Sequence, residues 1–108
     1  MEIITIYISE AHPTDQWNLF DAPHICFKQP KTLSQRISIA KDYLEKTSLK
    51  TSFVVDLIDN QTERAYFGFP ERLYLLHNKK IVYKGKKGPE GYKIFELEEF
   101  LSNFFKQN

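Results

Sequence analysis

The run Ile3-Ile4-Thr5-Ile6-Tyr7-Ile8 leaves the chain few architectures to choose from. Apolar and β-branched residues occupy both parities of the run, the pattern of a strand covered on two faces rather than one. A central strand is predicted. It empties into Ser9-Glu10-Ala11-His12-Pro13-Thr14-Asp15-Gln16-Trp17, which gathers two carboxylates, an imidazole, a proline and the single tryptophan. That is more polar chemistry than a turn requires, and the carboxyl end of a parallel strand is where open α/β sheets keep their sites. The candidate site is placed here.

A chain of 108 residues suffices for one domain with one core, so a single domain over 1–108 is expected. Its 42% hydrophobic and 27% charged residues are those of an ordinary soluble globular protein. Fifteen basic against fourteen acidic side chains give a net charge of +1, which argues for neither nucleic acid nor an anionic membrane as partner. No apolar run approaches the roughly 20 residues that span a bilayer, and the N-terminus lacks the basic, apolar and cleavage regions of a signal peptide. A cytoplasmic location is the expectation. The lone Cys26 has no internal disulfide partner, and no Cys/His spacing resembles a zinc site, so no metal is expected.

Residues 18–31 hold Pro23, Pro30 and scattered aromatics without a sustained period, and read as an irregular loop or insertion. Such a loop beside a site often forms one of its walls. Thr32-Leu33-Ser34-Gln35 has capping-box spacing, so a helix should start there and end near Lys46. Leu33, Ile37, Ala40 and Leu44 form its apolar stripe, leaving Arg36, Lys41, Asp42 and Glu45 in water. Phe53 to Leu57 is a short strand, and Gln61 to Phe67 one or two helical turns ended by Gly68. Arg72–His77 and Lys80–Lys84, separated by Asn78-Lys79, read as an antiparallel hairpin. The glycine- and lysine-rich loop 85–91 reads as a solvated hairpin end rather than the anion site its lysines suggest, since no glycine pattern there leads from a strand into a phosphate-binding helix. Leu97, Phe100, Leu101, Phe104 and Phe105 give a terminal helix its apolar face.

The segment Tyr7-Ile8-Ser9-Glu10-Ala11-His12-Pro13-Thr14-Asp15-Gln16-Trp17 resembles the strand-to-loop motif Tyr-Ile-x-Glu-Ala-His-Pro-Ser-Asp-Gly-Trp of the iodothyronine deiodinases and their bacterial relatives. Pro70-Glu71-Arg72-Leu73-Tyr74 and Ile81-Val82-Tyr83-Lys84-Gly85-Lys86-Lys87-Gly88-Pro89-Glu90-Gly91-Tyr92 are similar to that family's later strands and the loop after them. The resemblance runs over essentially the whole chain. It implies an α/β, thioredoxin-like fold of the peroxiredoxin kind, a mixed sheet flanked by helices, from which the first strand and first helix are missing. It also implies that the family's nucleophilic selenocysteine or cysteine lies upstream of residue 1. The missing strand is central in the family's sheet, so the gap must be filled by closure of the remaining strands, by a second copy in a homodimer, or by sequence further upstream. Buried, unsatisfied backbone groups otherwise cost roughly 1–3 kcal/mol each.

In such a site a selenol or thiol attacks a halogen on an aromatic ring, a proton is delivered as the carbon–halogen bond breaks, and a thiol reductant restores the nucleophile without any other cofactor. Tyr7, Glu10 and His12 match family positions associated with the proton network, a role suited to an imidazole beside a carboxylate. From spacing alone His12 reads rather as a loop imidazole capping a backbone carbonyl, a preference that the family match reverses. Arg72 matches the arginine linked to substrate binding in the family, and a planar fork suits a carboxylate or phenolate; the alternative is a strand-end ion pair with Glu71, Asp56 or Asp59. Trp17 is either core or a stacking wall for a small aromatic or halogenated substrate. Cys26 is either incidental or a resolving thiol, and Pro70 is placed where redoxins carry a cis-proline. The family's Asp-Gly-Trp glycine is Gln16 here, and the histidine that vertebrate enzymes place before the helix corresponds to Pro30, which weakens an iodothyronine as substrate. The competing readings are a non-catalytic binding or dimerisation module that keeps the pocket, and the remnant of a thiol peroxidase or disulfide reductase.

Overall fold

A computed structural model describes residues 1–10 and 27–107, and they fall into two compact units, Met1–Tyr66 and Phe67–Asn108. The element order is β1 (Ile4–Tyr7), α1 (Leu33–Thr47), β2 (Ser52–Val55), α2 (Gln61–Tyr66), β3 (Tyr74–His77), β4 (Lys80–Lys84) and α3 (Ile94–Gln107). This is the mixed α/β composition expected, with small sheets and three helices, consistent with a thioredoxin-like fold. No helix among the described residues is long and apolar enough to cross a membrane.

In the first unit β1 and β2 run parallel, from Ile4 opposite Ser52 to Tyr7 opposite Val55. The pairing continues one step beyond the strands, where Asp56 N–H donates to the Tyr7 carbonyl at 2.8 Å. Burial alternates along both strands, and the half-buried set is Thr5, Tyr7, Phe53 and Val55. α1 covers that side, with Tyr43 against the rings of Tyr7 and Phe53 at centroid separations of 6.0 and 6.5 Å. The opposite side is open: Ile4, Ile6 and Val54 are 54%, 41% and 48% exposed. The expectation of a central strand covered on both faces is therefore corrected. Among the described residues β1 has one strand neighbour, and its apolar residues of even parity face outward.

α1 begins as its capping chemistry requires. Thr32 is extended and its hydroxyl accepts from Gln35 N–H at 3.2 Å, while Gln35 Oε1 accepts from Lys31 N–H at 2.7 Å. The side chain of Gln35 thus reaches one residue further back than the capping-box pattern prescribes. Ser48, left-handed at φ 55°, closes the helix by donating its N–H to the Leu44 carbonyl. Ala40 is buried and Leu33, Ile37 and Leu44 half-buried, as the stripe predicts. Arg36 is not in water. It is 1% exposed, the most deeply buried of the large residues among those described.

The second unit is a hairpin backed by α3. β3 and β4 pair antiparallel through a turn in which Asn78 and Lys79 both have positive φ, the signature of the tight primed hairpin turn. The register slips between Leu75 and Leu76, so that Leu75 faces Tyr83 and Leu76 faces Ile81, leaving Val82 as the extra residue. α3 lays Phe100 against Tyr83 and Phe104 against His77, with centroids 5.2 and 5.1 Å apart. Phe105, counted above with the apolar face, is 60% exposed. The Phe69–Pro70 peptide is cis, as is Gly88–Pro89.

Candidate functional site

The end of β1 places Tyr7 and Glu10 together and surrounds Glu10 with donors. Arg36 approaches from α1, with Nε donating to Glu10 Oε2 and Nη2 to Oε1, each at 3.3 Å, in a pair whose side chains are 1% and 0% exposed. Gln29 Nε2 adds a third donor to Oε1 at 3.3 Å. The far side of the guanidinium donates from Nη1 to the Leu57 carbonyl at 2.7 Å and, more weakly, to the Asp56 carbonyl at 3.5 Å. A buried charge costs several kcal/mol unless it is paired and its hydrogen bonds are satisfied. Here both charges meet that condition.

Burial, and then the charge and hydrogen bonding of Glu10, push the Tyr7 phenol well above its ordinary range; Arg36 opposes this and Tyr43 adds to it slightly. Tyr7 consequently keeps its phenolic proton throughout the physiological pH range.

One residue beyond β2, Asp56 organises the neighbouring backbone. Its Oδ1 accepts from the N–H groups of Leu57 and Thr62 at 2.9 and 3.0 Å, and its Oδ2 from Glu63 N–H at 2.9 Å. Burial raises the Asp56 carboxyl, but hydrogen bonds from Glu63, Thr62 and Leu57 outweigh it and hold the group below its ordinary value. Glu63 in turn accepts from the N–H of Ser9 at 3.0 Å and from the Ser9 hydroxyl. Ser9 is thereby fastened to α2, and Glu10 is linked to the segment after β2 through Arg36.

Of the predicted site residues, Tyr7 and Glu10 are brought together. His12, Trp17 and Cys26 lie outside the described residues. Arg72 belongs to the second unit, where its Nε donates to the Gly85 carbonyl at 2.7 Å and Nη1 to the Phe67 carbonyl at 3.2 Å, with the guanidinium carbon 5.6 Å from the centre of the Tyr74 ring. The backbone carbonyls take two of its donor groups. Among the described residues no cluster of His, Cys, Asp and Glu could hold a metal ion. Sequence reasoning missed Arg36, Gln29, Asp56 and Glu63. For Arg36 the signal was present, since it stands three residues after Leu33 and four before Ala40, on the helix face that the stripe defines.

A parallel pair backed by a helix, with an acid-rich strand end and a later hairpin carrying its own backing helix, defines a thioredoxin-like α/β protein. Comparison with known sequences narrows the class. The iodothyronine deiodinase family model matches residues 1–105. The thyroxine 5-deiodinase of Sparus aurata is 38% identical over 103 residues, 95% of this chain and 38% of that protein. The human thyroxine 5-deiodinase is 36% identical over 107 residues, 99% of this chain and 34% of its own length. The type I iodothyronine deiodinase of Xenopus laevis is 42% identical over 96 residues, 89% and 37% respectively. The chain belongs to the iodothyronine deiodinase family, and it spans a little over a third of the length of these relatives.

Proposed function

We propose that this chain forms the proton-handling and substrate-side part of a thioredoxin-fold oxidoreductase that removes halogen reductively from a small aromatic substrate. The selenol or thiol comes from outside residues 1–108. In this reading the selenolate or thiolate attacks the halogen and the carbon–halogen bond breaks with its electron pair passing to carbon. The carbon takes up a proton through the Tyr7, Glu10 and His12 network. Two equivalents of a thiol reductant then return the halogenated nucleophile to its starting state, releasing halide and a disulfide. Arg72 is assigned to an anionic substituent of the substrate and Trp17 to its ring.

The observation that carries the reading is the buried Tyr7–Glu10 arrangement at family-matched positions, in a chain that belongs to the deiodinase family. A phenol raised above its ordinary range is a weak acid, so the proton delivered to carbon is assigned to the imidazole of His12, with Glu10 setting its tautomer and Tyr7 as a neutral hydroxyl partner. Location in the cytoplasm and thiol dependence are parts of the same proposal.

The test is the intact mass of the protein from its native source, together with iodide release from an iodinated phenol in the presence of dithiothreitol. A species heavier than residues 1–108, carrying an upstream selenocysteine or cysteine and releasing iodide, is the expected result. A mass equal to residues 1–108 with no iodide release would overturn it. The second reading, a non-catalytic binding module, is favoured by the open sheet face of Ile4, Ile6 and Val54, and that second outcome would point to it.

A further inference from the structure

Among the described residues, Ser48, Asn60, Phe67, Asn78 and Lys79 have a left-handed backbone although none is glycine. Four of them have a local reason. Ser48 closes α1, Asn60 is of a type that tolerates this region, and Asn78 and Lys79 make the hairpin turn. Phe67 follows the last residue of α2, where a left-handed residue commonly ends a helix, but that residue is usually a glycine. At φ 51° the Phe67 side chain crowds its own backbone, and burial does not compensate, because the residue is 62% exposed. Gly68, the next residue, is not left-handed. The Phe67 ring lies 5.6 Å from Lys87 Nζ, an exposed cation–π contact that offsets only part of such strain. The Phe67 carbonyl accepts from Arg72 Nη1 at 3.2 Å. A bulky aromatic is thus kept exposed and strained, in direct contact with the arginine assigned to the substrate.

We propose that Phe67 is a specificity-determining residue, whose exposed ring stacks on the aromatic ring of an anionic substrate held by Arg72. Phe67, Arg72 and Lys87 all belong to the second unit, so the contact needs nothing from the first. The Gly85 and Phe67 carbonyls occupy Nε and Nη1 of Arg72, and an anion would therefore meet Nη2. Because the guanidinium is tied to the Phe67 backbone, an anion bound there brings its own ring beside that of Phe67. Stacking of two π-faces favours a flat ring over a saturated one of the same size and charge. Strain retained at a contact with ligand is the mark of a position kept for binding at some cost to stability. The placing of the anion on Arg72 rests on the dehalogenation reading, to which Phe67 adds a ring contact besides Trp17.

The test compares two probes of one charge, 3-iodobenzoate and cyclohexanecarboxylate, titrated into the 108-residue chain with the Arg72 Nε–H followed by NMR. The unmutated protein should bind the aromatic acid about fivefold or more tightly than the saturated one. Phe67→Tyr should keep that preference, and Phe67→Leu, which retains an apolar side chain without a π-face, should reduce it to within about twofold. Phe67→Gly should also lose the preference while its melting temperature stays the same or rises, since glycine takes the left-handed conformation freely. A purely structural ring gives other results. An F67L protein that keeps the preference, an unmutated protein that shows none, or an F67G protein that melts lower or fails to fold would each overturn the proposal. Should F67L not fold, F67G decides by the same ratio. No nucleophile is needed for these readouts, so a failure of iodide release removes the dehalogenation reading and leaves Phe67 to be judged on the two acids.

Discussion

Arg36 and Glu10 meet as a side-on fork, Nε to Oε2 and Nη2 to Oε1, each 3.3 Å, with both side chains removed from water. Removing one member strands the other. Arg36→Met should therefore destabilise the first unit by about 3–5 kcal/mol, whereas the double variant E10M/R36M should recover most of that loss. Urea unfolding of the two proteins checks it; a double variant no more stable than the single one would show that the pair is not what the loss reports.

Asp56 supplies acceptors to three backbone N–H groups across the segment leading into α2. Asp56→Asn retains one acceptor oxygen and presents an amide to donors, at a cost of about 1–2 kcal/mol. The change should appear as a lower urea midpoint with an unchanged slope.

The same groups set the pH limits. The folded state lowers the Asp56 carboxyl, so its contribution is present above the unfolded carboxylate value and disappears as pH falls through the lower folded value. The folded state raises Tyr7, so its contribution is present below the ordinary tyrosine value of 10.0 and is lost as pH rises beyond it. Thermal unfolding across pH should show an acid limb that is reduced in D56N and an alkaline limb that is reduced in Y7F.

Two glycines in the second unit separate by what an added methyl would meet. At Gly91 it would collide with Lys86 Cβ and lie 2.5 Å from the Lys87 carbonyl oxygen, which cannot move without the backbone. At Gly88 it meets the Glu71 side chain, which can swing away. Gly91→Ala should cost about 1–3 kcal/mol and Gly88→Ala about 0.5 kcal/mol or less, read from melting temperatures.

Where local chemistry determines local structure, the fold was readable. Thr32 capping Gln35, the Leu33/Ala40 stripe and the Asn78-Lys79 turn each act within a few residues, and their consequences appear within a residue or two of where they were expected. β1 was misjudged because apolar residues on both parities signal burial only if something covers both faces, and Ile4 and Ile6 among the described residues have no such cover. Arg36 was misjudged by residue type: its position lay on the buried face, but an arginine was assigned to water although Glu10, the partner that makes burial tolerable, stands 26 residues away. Asp56 was considered only as an ion-pair partner for Arg72, because two of the donors it serves lie six and seven residues ahead, across an intervening turn. Tyr7 and Glu10 were found through a motif; the clamp on them could be seen only once α1 had folded back.

α2 has six residues, too few to persist by itself, and it is held by the Asp56 carboxylate at its start and by the tie from Glu63 to Ser9. One tie ends at Asp56, just beyond β2, and the other at Ser9, on the exit of β1 that carries Glu10. Fraying of this one short helix and loosening of the strand exit are therefore a single event, so the amides of Ser9, Thr62 and Glu63 should exchange with deuterium at one common rate. The time for which the exit of β1 stays in place is then limited by the lifetime of that turn and a half of helix.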